Sequence, residues 1–142
     1  MRRPIPGIPI EQQPVDILER MCLWAEARGE DALGRLAILK VIRTRALEQN
    51  VSAATVILRP RAFSSFNATD KNRPKLLSAW QDDPAGWGAV DAICELANNV
   101  VDPTGGANHY YNPDIATPIW GRGHQDWQET WVHGHHVFGR CP

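Results

Sequence analysis

Helix-forming patterns run from about residue 14 to Val100 and then stop, and this one-way change restricts the chain to an α+β fold. Leu18, Met21, Cys22 and Ala25 recur at helical steps and predict a first helix from Pro14–Asp16 to Arg28, with Gly29 as its C-cap. Asp31 opens an amphipathic second helix in which Leu33, Leu36, Ala37, Val41 and Ala46 alternate with charged residues. Ser52 caps a short third helix, Ala53–Leu58, stopped by Pro60. Lys75–Gln81 is a further short helix, and Pro84 starts the last one, to Val100. Beyond it the pattern is turn and strand. Gly105-Gly106 precede a short strand at His109-Tyr110-Tyr111, and Trp131–Phe138 reads as a final strand or hairpin. Residues 1–13 are proline-rich and read as an extended or mobile arm, which leaves 14–142 as the folded domain.

The 142 residues suffice for one domain with its own core. A net charge of -1 gives no reason to expect nucleic-acid binding. No apolar run approaches the roughly 20 residues of a membrane span, so no membrane insertion is expected. Prolines interrupt the segment after the basic Met1-Arg2-Arg3, so no signal peptide is recognisable and synthesis in the cytoplasm is the expectation. Cys22, Cys94 and Cys141 fit no Cys-x-x-Cys spacing and, being odd in number, no full disulfide framework. The six tryptophans are many for this length, and a sugar-binding groove would use several, because sugar rings stack on aromatic faces.

Glu26 is the candidate of greatest chemical interest. It follows Cys22 by four residues and Leu18 by eight, at the edge of the apolar stripe. A carboxyl group there is partly desolvated, which raises its pKa and lets it donate a proton near neutrality. The competing reading is a solvated helix-end glutamate paired with Arg20 or Arg28. Glu30 and Asp102 are candidates for a second carboxylate. Simpler roles for them are a link to the second helix's N-terminus and an Asx-type turn.

Four segments then fall in a familiar order: Ala25-Glu26-Ala27-Arg28-Gly29-Glu30, Phe63-Ser64-Ser65-Phe66, Asp102-Pro103-Thr104-Gly105-Gly106-Ala107-Asn108-His109-Tyr110-Tyr111-Asn112 and Gly134-His135-His136-Val137-Phe138. Over residues 16–139 the chain resembles the SleB-type cell-wall hydrolases, which include spore cortex-lytic enzymes and phage lysins. The resemblance implies a compact lysozyme-like domain, mainly helical with short strands near the C-terminus. It implies cleavage of peptidoglycan glycan strands between N-acetylmuramic acid and N-acetylglucosamine by a lytic transglycosylase, with no cofactor. The family's catalytic acid falls on Glu26. The substrate groove would draw on Phe63, Ser64, Ser65, Asn108, His109, Tyr110, Tyr111 and His136. Strand alternation sends Tyr110 and Tyr111 to opposite faces, Tyr110 inward and Tyr111 into the groove beside His109.

Two other classes compete. His133 and His135 would share a strand face at a spacing that suits zinc, as in a metal-dependent amidase or peptidase. The helix carries no His-Glu-x-x-His to support that. A non-catalytic particle or tail component on a lysozyme-like scaffold is the other, because fold alone does not give function. The arm and the loop Gly121-Arg122-Gly123-His124-Gln125-Asp126-Trp127 are where phage or particle proteins would bind. The expected setting is lysis, or wall penetration by a particle.

Overall fold

The computed structural model describes residues 1–60, 62–121 and 126–142. Arg61 and Arg122-Gly123-His124-Gln125, the greater part of the 121–127 loop, lie outside the described residues. Five helices come first: α1 (Val15–Glu26), α2 (Ala32–Gln49), α3 (Ala53–Leu58), α4 (Arg73–Asp82) and α5 (Pro84–Leu96). Three strands follow: β1 (His109–Tyr111), β2 (Gln128–His133) and β3 (His136–Arg140). They form an antiparallel sheet in the order β1-β3-β2. No helix among the described residues is long and apolar enough to cross a membrane.

The helix starts follow local chemistry. Asp31 accepts from the Gly34 N–H at 2.8 Å, and Ser52 from the Thr55 N–H at 3.2 Å. Asp83 accepts from the Gly86 N–H at 3.1 Å, ahead of Pro84 in the first turn of α5. Each side chain satisfies a backbone donor that the helix itself leaves unpaired. Asp102 makes the turn that its simpler reading predicts: its carboxylate accepts from the N–H groups of Thr104 (2.8 Å) and Gly106 (3.2 Å).

α1 differs from its predicted form in two ways. It ends at Glu26, and Gly29 is not a left-handed C-cap; the chain turns with the Glu30 N–H bonded to the Ala27 carbonyl at 3.0 Å. It is also buried around most of its circumference. Ile17, Leu18, Met21, Cys22 and Leu23 are fully buried, and so, nearly, are Glu19 and Arg20. Each large apolar side chain buried there contributes roughly 1.5–3 kcal/mol. The charges are tolerated because they are paired: Arg20 meets Asp91 and Glu95 at 2.8 Å each, and Arg43 meets Glu19 at 2.8 Å. α1 is therefore the central post of the helical body, and Glu26 stands at its tip.

The first residues lie along this body. The Arg2 side chain pairs with Asp16 at 2.6 Å, its backbone N–H donates to Asp91 at 3.1 Å, and its carbonyl accepts from Trp87 Nε1 at 2.8 Å. Ile10 is buried in the core. At the other end, Arg45 of α2 donates to the Asn108 carbonyl at 2.6 Å, tying the helices to β1. Tyr110 and Trp131 pack against the core, into which Phe138 is fully buried.

Candidate active site

Between the tip of α1 and the sheet lies a cavity of about 570 Å³. Glu26, Gly29 and Glu30 form one wall, Tyr110, His135 and His136 the sheet wall, and Tyr111, Ile115 and Trp120 the outer lip. The helix end positions Glu26, whose Oε1 is buried without a hydrogen-bond partner among the described residues. Burial, and then the nearby Asp70 carboxylate, push the Glu26 carboxyl above the ordinary glutamate value. Neither arginine proposed as its partner is engaged with it. Arg20 is held by acids on α5, and the Arg28 guanidinium lies 4.1 Å over the Trp24 ring.

Glu30 is buried too, but it is enclosed by partners. His135 Nδ1 lies 3.1 Å and His136 Nδ1 3.0 Å from its Oε1, the latter off the line of a hydrogen bond. Gly134, at φ 56°, opens the two-residue turn between β2 and β3, where a two-residue turn needs a residue that accepts positive φ. A Cβ there would sit 2.4 Å from Glu30 Oε2, so the hairpin turn lies directly on this carboxylate. Burial lowers the pKa of His136, and Glu30, which favours the charged ring, offsets part of that effect.

The strand alternation places the tyrosines as predicted. Tyr110 turns inward, 5.8 Å from Phe138 and 5.1 Å from His136 between ring centroids. Burial holds its hydroxyl well above the ordinary tyrosine value. Tyr111 turns outward to Trp120, as does His109. Both tyrosines nonetheless line the cavity, Tyr110 as floor and Tyr111 as lip.

The other residues named from sequence fall elsewhere. Phe63-Ser64-Ser65-Phe66 is a 3-10 turn rather than a strand: Phe63, Ser65 and Phe66 are buried, Ser64 is exposed, and none lines the cavity. Two phenylalanines three residues apart both reach the core because a 3-10 turn repeats every three residues. Asn108 is buried and consumed: it donates to the Cys141 carbonyl at 2.9 Å and accepts from the Cys141 N–H at 2.8 Å. His109 flanks the lip without lining the cavity.

The histidines do not converge. His133 Nε2 meets Asp31 at 2.8 Å, whereas His135 and His136 face Glu30, and among the described residues no three such side chains are grouped to hold a metal ion. Sequence reasoning missed Asp70 altogether and did not place Trp120 at the site. The only sequence signals for them were an acid in a polar loop and the tryptophan count.

A helical body closed by a short sheet over a half-buried glutamate carboxyl defines a class, the α+β domain with a carboxyl-centred cleft. The chain belongs to the cell wall hydrolase family, whose model matches residues 29–139; Glu26 lies just ahead of that stretch and Glu30 inside it. The fold is similar to the catalytic domain of the germination-specific lytic transglycosylase SleB from Bacillus anthracis. That likeness has 28% identity and a TM-score of 0.66, over 94% of this chain and 100% of the other. The catalytic domain of the Bacillus cereus SleB protein gives 27% and 0.62, over 99% and 98%. Spore cortex-lytic enzymes are similar in sequence. The one from Halalkalibacterium halodurans is 35% identical over 107 residues, covering 72% of this chain and 28% of the relative. That from Bacillus subtilis is 36% identical over 105 residues, covering 70% and 30%. The chain thus spans about a third of the length of these relatives.

Proposed function

We propose that this chain cleaves peptidoglycan glycan strands between N-acetylmuramic acid and N-acetylglucosamine as a lytic transglycosylase, with Glu26 as both acid and base. The observation that carries this reading is a Glu26 side chain that lines the cleft while its Oε1 is buried and unpartnered among the described residues, on a carboxyl whose pKa is raised. Such a group holds its proton closer to neutrality, as a general acid requires. The SleB likeness supports the same reaction.

In the proposed mechanism Glu26 protonates the glycosidic oxygen as its bond to C1 of the muramic residue breaks. Positive charge grows on C1 and the ring oxygen. The Glu26 carboxylate then removes the proton from the C6 hydroxyl of the same sugar as that oxygen bonds to C1. The products are a 1,6-anhydromuramic end and a free 4-hydroxyl on the N-acetylglucosamine, and Glu26 is protonated again. One carboxyl suffices, whereas hydrolysis by the two-carboxyl route needs a second acid to activate water or to attack C1. Glu30, turned toward His135 and His136 under the hairpin, is poorly placed for that duty, and its proposed role is to hold the hairpin that forms the opposite wall.

Mass spectrometry of muropeptides released from purified sacculi tests the reaction. Anhydro ends, absent with Glu26→Gln, are the expected result. Reducing ends indicate hydrolysis, and amide cleavage indicates an amidase. The proposed setting, lysis or wall penetration by a particle, concerns where the enzyme meets the wall and leaves this chemistry unchanged.

A further inference from the structure

Four aromatic rings form a patch at the lip of the cleft. Between centroids, His109 lies 4.9 Å and Tyr111 5.7 Å from Trp120, and Trp127 lies 5.0 Å from Trp120 and 6.0 Å from Tyr111. Tyr111 and Trp120 line the cavity and Trp127 does not. None of the four belongs to the hydrophobic core cluster, and all are half-buried.

Two glycines lie against these rings. A Cβ on Gly121 would stand 2.9 Å from the Tyr111 ring, and one on Gly139 would stand 2.4 Å from Trp127 and equally close to the Gln128 carbonyl oxygen. Neither glycine has a positive φ; at Gly121 the closeness of the ring excludes a side chain, and at Gly139 the ring and the neighbouring strand's backbone do so together. Burial lowers the His109 pKa to about 4, so its ring is neutral over the working range and the patch carries no charge.

We propose that Trp120 and Trp127 form a glycan-binding ledge that extends the cleft, holding an N-acetylhexosamine ring beyond the two sugars joined at the scissile bond. The proposal rests on the substrate class inferred for the cleft. A pyranose ring presents an apolar C–H face and an acetamido methyl, and an uncharged, partly exposed aromatic surface suits both. The patch is continuous with the cavity through Tyr111 and Trp120, so a strand that leaves the cleft on that side meets Trp127. Ledge contacts remote from the bond position the strand for reaction.

The test uses peptide-free glycan strands from sacculi, fractionated by length, and the Glu26→Gln protein, so that binding is read without turnover. Adding Trp127→Leu keeps an apolar side chain over Gly139 and removes the ring. Binding of long strands is expected to weaken about two- to tenfold, while the shortest bound strands, which fill only the cleft, bind as before. Trp120→Leu, which faces both cleft and ledge, weakens both. Equal binding of long strands with and without Trp127→Leu, or equal loss at every length, overturns the ledge. So does a Trp127→Leu protein that has lost its fold, because the rings are then structural packing. Failure of the parent protein to bind or cleave glycan of any length overturns the substrate reading and the ledge together, a pattern distinct from length-independent binding.

Discussion

Glu26 and Glu30 lie one helical turn apart in sequence, face the same cavity and are both withdrawn from water, yet their surroundings are opposite. Glu26 ends a helix in an apolar setting with a buried oxygen that has no hydrogen-bond partner among the described residues. Glu30 sits under a hairpin turn with two imidazoles within 3.1 Å. The same side chain is thereby left available for proton transfer in one place and used to fasten a wall in the other. Environment, rather than residue type, divides the roles.

Removing the proton carrier is the strongest way to break that contrast. Glu26→Gln keeps shape and fold, and sacculus clearing is expected to fall about 10²–10⁴-fold, the usual scale for a lost general acid–base. Near-normal clearing by the folded variant would remove Glu26 from the mechanism. Glu30→Ala acts on the other side. It empties the space under the hairpin turn and removes the carboxylate that His135 Nδ1 meets at 3.1 Å, and thermal melts are expected to show a loss of roughly 1–3 kcal/mol. If Glu30→Ala melts like wild type but abolishes turnover, the division of roles proposed for the two carboxylates is reversed. Gly134→Ala sharpens the same point by placing a Cβ against Glu30 Oε2 at a positive φ. A loss of roughly 1–2 kcal/mol is expected, and a neutral result means that the turn does not rest on Glu30.

The mildest effect is in pH dependence. Glu26 binds its proton more tightly in the folded state than in the unfolded state, since its pKa is raised. Between the ordinary glutamate value and the raised one, the folded state holds more protons, so this group lowers stability as pH rises. Glu26→Gln removes that penalty. The variant is expected to match wild type in acid and to melt progressively higher than wild type as pH rises through the window. A constant difference at all pH values would mean that Glu26 titrates normally.

Much of this was legible locally. Asp31, Ser52 and Pro84 announced their helices because capping is decided within one turn of chain. Helical spacing put Glu26 at the edge of the buried stripe but left its solvated reading open, and it was the family resemblance that singled it out. The enclosure of Glu30 was not legible, since its partners lie about a hundred residues away and nothing near Glu30 records them. Nor was the all-round burial of α1, since a charge pattern such as Glu19-Arg20 reads as solvated until Arg43, Asp91 and Glu95 are brought against it. That Phe63, Ser64 and Ser65 stand away from the cavity was not legible either, because so short a segment does not record which way its turn will face.

The strand order also has a consequence in time. β3 is the middle strand of the sheet, yet the last of the three in sequence. On the ribosome, all five helices emerge before any strand, and α1 can pack on its main partner once α5 is out. β1 and β2 must wait, because each pairs only with β3. The carboxyl of Glu26 is thus in place early, while the wall that gives it a cavity arrives last. A nascent chain that has not reached β3 carries Glu26 without the cleft, and the cavity forms only when the sheet is complete.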